Sequence, residues 1–384
     1  MKFPGFINSK MPKMGTTIFA EMSQLANATG AINLSQGFPD FHCSGKLIEL
    51  VNHYMKKGYN QYAPMAGVQS LREALAEKTE HCYSANYDPD TEITISAGAT
   101  YALYTAITAM VKENDEVIII EPAYDCYVPA IEFNGGMPKF VQLKSPRYQV
   151  DWNEVKKLVT NRTKAIIINT PHNPTGSILS ANDMRQLEKL TKNSDIVIIS
   201  DEVYEHIIFD GYEHQSVARY PKLAERSFVI SSFGKTFHNT GWKMGYVLAP
   251  ENLTAEYRKV HQYLAFSVNT PIQHAVADFL KDKSNYEGLS GFYQEKRDYF
   301  NKLLEGSRFQ LASSAGTYFQ LLGYKDITDE ADTKYAIRLT KETGVAAVPI
   351  SVFYHRPEDD KILRFCFAKE NETLEKAAEK LRTV

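Results

Sequence analysis

Lys235 stands in Ser231-Ser-Phe-Gly-Lys235-Thr-Phe, just after an apolar run at 228–231, with Ser232 three positions before it and Lys243 eight after it. Asp201 directly follows a second run, 196–200, and Tyr204 lies three residues further on. Asn173 sits in Thr170-Pro-His-Asn173-Pro-Thr-Gly176, after a third run at 165–169. Each residue alone has an ordinary explanation. A lysine in a loop is usually solvated, an aspartate after a strand caps a helix, and Asn-Pro-Thr-Gly is a turn. As a set they offer an amine, a carboxylate, a phenol, an amide and phosphate donors at the ends of strands. Pyridoxal phosphate requires that set. Its aldehyde needs a lysine amine, and its ring nitrogen needs a carboxylate that keeps it protonated. Its 3-oxygen needs hydrogen-bond donors, and its phosphate needs cations and backbone N–H groups at a helix N-terminus. Nucleotide readings fit less well. Gly234-Lys235-Thr236 imitates the end of a Walker loop, but Val229 stands where the required glycine should be. No Gly-x-Gly-x-x-Gly follows any of the runs.

The elements that must position these residues are legible between about 92 and 265. Short β-branched runs at 93–95, 117–120, 139–141, 165–168, 196–199, 228–231 and 246–248 alternate with helical patterns, clearest at 99–111 and 182–191. Near-continuous Ile/Val runs separated by helices predict strands buried on both faces, hence a mostly parallel seven-stranded sheet flanked by helices. In such a sheet the ligand site lies at the C-terminal strand ends. Further on, 317–322, 345–348 and 363–367 read as strands, and 332–343 and 370–381 as helices, after a long helix near 291–304. The expected architecture is α/β with a smaller α+β domain. Residues 1–40 are read as an N-terminal arm and part of the small domain, 41–280 as the large cofactor-binding domain and 281–384 as the small C-terminal domain.

Composition excludes several other classes. The chain has 384 residues, 43% hydrophobic and 23% charged, with a net charge of −3. That balance gives no footprint for nucleic acid or an anionic membrane. Cys43, Cys82, Cys126 and Cys366 are widely spaced, which predicts reduced thiols, no zinc ribbon and no disulfide framework. The first residues lack the apolar core of a signal peptide, and no stretch is long enough for a bilayer, so a soluble cytoplasmic protein is expected.

Three motifs in order carry a family resemblance: Asn-Pro-Thr-Gly (173–176), Ser-Asp-Glu-Val-Tyr (200–204) and Ser-Ser-Phe-Gly-Lys-Thr-Phe-His-Asn-Thr-Gly-Trp-Lys-Met-Gly-Tyr (231–246). With them the chain resembles the class I/II aminotransferases of fold type I, and within them the kynurenine aminotransferase-like branch. The likeness runs from Leu34-Ser-Gln-Gly-Phe-Pro-Asp40 to Arg364-Phe-Cys-Phe-Ala-Lys369. It implies that Lys235 forms the Schiff base with pyridoxal phosphate and then moves the substrate Cα proton. Asp201 would pair with the pyridine nitrogen, while Tyr204 and Asn173 donate to the 3-oxygen. The phosphate would sit on residues 96–100, with N–H groups of Ala99 and Thr100, and be completed by Ser232 and Lys243. Many relatives carry arginine where this chain has Lys243, which replaces a planar fork with a point charge. Tyr124 would stack on the ring, with a core aromatic as the rival reading. Arg364, and Gly37 through its backbone, would hold the substrate α-carboxylate, with a structural ion pair as the rival for Arg364. Tyr62 would reach the phosphate of a neighbouring subunit, so the resemblance implies a homodimer with composite sites. The implied activity is ping-pong transfer of an amino group to a 2-oxo acid from a neutral apolar or aromatic donor. Methionine is favoured, with phenylalanine, kynurenine and histidine also accepted. Phe38, Phe266, Tyr318 and Phe353 are candidates for the side-chain pocket. Cysteine-conjugate β-lyase chemistry on the same cofactor is the alternative.

Overall fold

The structure is a computed structural model that describes residues 1–384 apart from Lys2, Lys13 and Pro357. A short strand, β1 (Ile32–Asn33), precedes the main sheet. All seven predicted runs enter that sheet: β2 (Ile93–Ser96), β3 (Glu116–Glu121), β4 (Met137–Gln142), β5 (Thr163–Asn169), β6 (Val197–Asp201), β7 (Ser227–Ser232) and β8 (Gly245–Leu248). Their spatial order is β2-β8-β7-β6-β5-β3-β4, and every neighbouring pair is parallel except the two made by β8.

Alternate residues of the runs serve two different cores. Val117, Ile119, Ala165, Ile167, Val197 and Ile199 pack with Ala102, Leu103 and Ile107 of the helix Ala99–Met110. Ile118, Ile120, Ile166, Ile168 and Ile198 belong to the other core, shared with the C-terminal elements. Each isoleucine buried this way contributes roughly 1.5–3 kcal/mol, and neither face can be polar. The register then sets Asn169 beside Asp201 at one end of the sheet, with Ser232 closing β7 nearby.

The C-terminal strands are β9 (Gln310–Ala312), β10 (Phe319–Gly323), β11 (Val345–Ala346), β12 (Val348–Pro349) and β13 (Ile362–Cys366). Four of them form an antiparallel sheet in the order β12-β13-β10-β9. The run expected as one strand at 345–348 is divided. β11 pairs in parallel with β1, and β12 pairs with β13 so that Val348 faces Arg364. One apolar segment thus serves two sheets. The long helix runs Leu289–Leu303, and the helix expected at 332–343 is α-helical over Asp332–Arg338 and π-helical over Leu339–Thr343.

Residues 18–29 depart from the expected aperiodic arm. They form the helix Ile18–Thr29, with Thr17 accepting from the Ala20 N–H and Gly30 ending it at φ 67. Met22 and Ala26 of this helix are buried, and Ile18, Phe19 and Leu25 pack half-buried beside them, so the segment carries a regular helical apolar stripe. The helix packs on β11 and β12. Among the described residues no helix is long and apolar enough to cross a membrane.

Candidate active site

The strand ends converge on a cavity of about 150 Å³. Of the residues singled out from the sequence, Ala99, Thr100, Tyr124, Asn173, Asp201, Tyr204, Ser232, Lys235 and Lys243 line it. A larger groove of about 630 Å³ lies between residues 175–181 and β9–β10, and none of the expected site residues line it.

Lys235 sits on the helical turn Phe233–Thr236 that follows β7. Its Nζ donates to the Gly37 carbonyl at 3.0 Å and to the Tyr318 hydroxyl at 2.9 Å. Removal from water pulls the amine down to about 8, and the Arg364 and Lys243 cations act in the same direction. A population of neutral, nucleophilic amine therefore exists near neutral pH.

Asp201 is the last residue of β6 and almost fully buried. Tyr127 donates to its Oδ2 at 2.6 Å, and the Val203 N–H reaches Oδ1 at 3.3 Å. Burial pushes this carboxyl up to about 6 against those two bonds. A cationic ring nitrogen is the partner that would offset that cost. Asn169 organises its surroundings, donating to the Asp201 carbonyl at 2.8 Å and accepting the Asn173 N–H at 2.7 Å.

The opposite end of the cavity is built from backbone. Gly98 caps the helix Ala99–Met110 at φ 85, a conformation only glycine adopts freely, and no side chain caps its first-turn N–H groups. Gly245 allows the close contact behind it, since a Cβ there would lie 2.7 Å from the Ser231 carbonyl and 3.2 Å from the Ala99 nitrogen. Lys243 is exposed in the single chain, and a Cβ on Gly98 would lie 3.6 Å from its Nζ. Free N–H groups, a helix N-terminus and a cation make an anion site. Tyr124 lies over the same end, its hydroxyl 3.5 Å from that of Thr100.

Arg364 is 1% exposed. Its Nη1 donates to Asn173 Oδ1 at 2.7 Å and its Nη2 to the Ser35 carbonyl at 3.0 Å, while Nε has no partner. The guanidinium lies 3.8 Å from the Phe319 ring centroid, with Phe19 and Phe353 also near. Among the described residues it makes no ion pair, so the structural-pair reading finds no support. Burial pulls it down to about 10, which leaves it charged at neutral pH. A buried cation with a free N–H asks for a small anion.

One expected residue lies elsewhere, and another is already engaged by the site. Tyr62 is 83% exposed and meets Phe266 edge-on at 5.6 Å, outside the cavity of its own chain. The Gly37 carbonyl is engaged by Lys235 and Tyr318. Tyr127 and Asn169 escaped sequence reading because neither type nor spacing marks them. Tyr318 appeared only as a pocket aromatic, although its hydroxyl meets the lysine.

Fold and site together define a class: an α/β enzyme with a lysine, an acid and an anion cradle at the C-terminal strand ends, and a buried arginine beside them. Residues 29–381 match the family model of aminotransferase class I and II. The chain is 50% identical over 375 residues to the methionine aminotransferase of Escherichia coli (strain K12), covering 97% of each. It is 34% identical over 399 residues to human kynurenine--oxoglutarate transaminase 1, covering 95% of this chain and 94% of that one. A crystal structure of Escherichia coli YbdL, described as having a methionine aminotransferase function, matches with a TM-score of 0.97 at 49% identity over 99% of this chain and 100% of that one. The chain belongs to the class I and II aminotransferase family: it has the fold type I architecture and is a transaminase.

Proposed function

We propose that the chain is a pyridoxal-phosphate-dependent aminotransferase that takes nitrogen from neutral apolar or aromatic amino acids, methionine foremost, and delivers it to a 2-oxo acid in two half-reactions. The observation that carries this reading is the convergence of Lys235, Asp201, Asn173 and the uncapped N-terminus after Gly98 on one cavity, with the buried Arg364 bonded to Asn173. The donor set fits the cofactor. Lys235 would hold its aldehyde carbon, Asp201 its ring nitrogen, Tyr204 and Asn173 its 3-oxygen, and Ala99, Thr100, Ser232 and Lys243 its phosphate. When bound, the cofactor supplies an electrophilic carbon and a ring that takes up the electron pair released at the substrate Cα.

The chain's own residues do the rest. Arg364 orients the α-carboxylate, which fixes the Cα–H bond relative to the cavity. Lys235, as a neutral amine, takes the proton from Cα and would deliver it to the carbon that the cofactor's aldehyde supplies. Asp201 keeps the ring nitrogen protonated. Asn173 spans both groups, since its Oδ1 is bonded to Arg364 and its amide nitrogen remains for the ring oxygen. The rings of Phe19, Phe319 and Phe353 around Arg364 favour an apolar donor. The similarity to a protein named methionine aminotransferase supports the same choice. The reading includes the division into residues 41–280, which hold the cofactor, and 1–40 with 281–384, which form the smaller part. It also places the enzyme in the cytoplasm, in keeping with four free cysteines.

Borohydride reduction of the yellow holoenzyme followed by peptide mapping should find the cofactor on Lys235; an adduct on another lysine, or none, overturns the mechanism. With one fixed oxo acid, kcat/KM for methionine and phenylalanine should exceed that for aspartate. A distal carboxylate would lose hydration there without a cation, whereas a thioether or ring gains roughly 1.5–3 kcal/mol on burial. Aspartate as best donor rejects the apolar pocket. Faster release of pyruvate and ammonia from cysteine conjugates puts the β-lyase reading first.

A further inference from the structure

We propose that Tyr318 is a positioning residue for the catalytic amine, its hydroxyl and the Gly37 carbonyl together holding Lys235 Nζ at the cavity whenever the amine is free. This rests on the reading of Lys235 as the group that moves the proton.

The three atoms form a closed triangle. The single hydroxyl hydrogen of Tyr318 goes to the Gly37 carbonyl at 2.6 Å. Its oxygen therefore has only lone pairs to offer Lys235, which donates to it at 2.9 Å and to the same carbonyl at 3.0 Å. Tyr318 is fully buried, and its ring is fixed by Tyr204 at 5.1 Å, Phe319 at 5.0 Å and Tyr293 at 5.7 Å. Gly37 is held equally closely, since a Cβ there would lie 2.7 Å from the Phe319 ring. Both acceptors are thus rigid. A lysine side chain has four rotatable bonds, and an amine that must meet Cα repeatedly loses rate if it samples them all. Tyr318 directly precedes β10, whose Leu321 pairs with Arg364. The holder of the amine and the cation that orients the carboxylate are therefore mounted on one sheet. A change in that sheet's position moves both together.

The groups facing Lys235 set the sign of the test. Arg364 and Lys243 disfavour its charged form, whereas Asp201, and Cys366 only as a thiolate, favour it. Tyr204 adds its ring face, 5.7 Å from Nζ. The Tyr318 oxygen accepts from the amine and so favours the ammonium. Removing it should lower the amine's pKa further.

The experiment compares wild type, Tyr318→Phe and Tyr293→Phe. Tyr293 is the control because its buried hydroxyl has no partner and its ring lies in the same cluster. In the apo forms, the pH midpoint for acetylation of Lys235 by acetic anhydride is read by peptide mass spectrometry. In the holo forms, kcat and KM are read for one donor. Tyr318→Phe should lower the acetylation midpoint by about one pH unit, the scale of one hydrogen bond to a charged group. The same change should lower kcat about tenfold with little change in KM. Lys235 would then be more reactive toward the anhydride at neutral pH and less effective in turnover, a combination that loss of packing alone does not produce. Tyr293→Phe should match wild type in both. The proposal is overturned if Tyr318→Phe keeps the wild-type midpoint and kcat, or if Tyr293→Phe reproduces its changes. Absence of a borohydride-fixed adduct on Lys235 in wild type would instead reject the underlying mechanism.

Discussion

At Asp201 function and stability oppose each other. The carboxyl is buried with two hydrogen bonds and no cation bonded to it, and its pKa is pushed up to about 6 from 3.8. A group whose folded pKa is raised binds protons more tightly in the folded state. Its burial therefore costs stability once pH rises above the unfolded value, with the full cost present above about 6. The gap corresponds to roughly 3 kcal/mol. Apo Asp201→Asn should accordingly unfold at a higher temperature than apo wild type at pH 8, and the advantage should vanish below about pH 4. The same variant should keep the cofactor and lose turnover by about 100-fold or more, because the ring loses the partner that keeps it protonated. Calorimetry on the apo forms and steady-state rates on the holo forms check the two halves. Unchanged turnover would leave Asp201 a structural residue.

The end of β6 and the segment after it must present Asp201 and Tyr204 rigidly, and a buried ion pair fastens that segment to the helix Gln69–Tyr83. Lys78 Nζ lies 2.8 Å from Glu205 Oε2 and donates to Tyr246 Oη at 3.0 Å, while Tyr246 donates to Glu205 Oε1 at 2.6 Å. Tyr83 also donates to Glu205. Burial by itself would raise the Glu205 carboxyl, but the Lys78 charge, the neighbouring His206 and the hydrogen bonds from Lys78 and Tyr246 together outweigh it and hold the group well below the usual carboxylate range. This depressed folded pKa gives stability that is present above pH 4.5 and is lost as pH falls below it. Lys78→Met should strand the carboxylate and destabilise the fold by about 3–5 kcal/mol in denaturant melts at neutral pH. Lys78→Met with Glu205→Leu should recover most of that loss. A single variant as stable as wild type would show that water reaches the pair.

For the whole molecule, the end of the cavity lined by Thr100 and Lys243 is exposed in the single chain. Lys243 is exposed there, while Tyr62, Tyr263 and Phe266 stand out from the surface at 83%, 86% and 48% exposure. A homodimer in which each Tyr62 completes the other subunit's site would cover these exposed aromatics. Mixing inactive Lys235→Ala chains with Tyr62→Ala chains tests it. If Tyr62 acts across the interface, half the dimers are mixed and each has one intact site, so about a quarter of wild-type specific activity should return. If Tyr62 serves its own chain, mixing restores nothing. Sedimentation of a fully active monomer would dismiss the composite site.

The central strands β3, β5 and β6 could be read directly because burial on both faces keeps their Ile/Val runs nearly continuous, whereas the half-buried edge strand β4 showed only Phe140 and Val141 beside Lys139. Lys235, Asp201, Tyr204 and Asn173 could be read because chemistry demands those residue types at strand ends, and strand ends were visible. The helix Ile18–Thr29 does carry an apolar stripe, Ile18, Met22, Leu25 and Ala26, but a single short stripe among Met, Pro and Gly residues reads as an arm. The division of 345–349 was not legible, because only pairing with two separate strands distinguishes Val345 from Val348. The same holds for side chains whose role comes from a contact distant in sequence. Tyr127 meets Asp201 across 74 positions, Tyr318 meets Lys235 across 83, and Arg364 meets Asn173 across 191. Periodicity and motif spacing are local properties of a chain, so the sequence determined which groups the site would hold. The closing of distant segments on one another decided which phenol faces which acid, which hydroxyl holds the lysine and which aromatics remain on the surface.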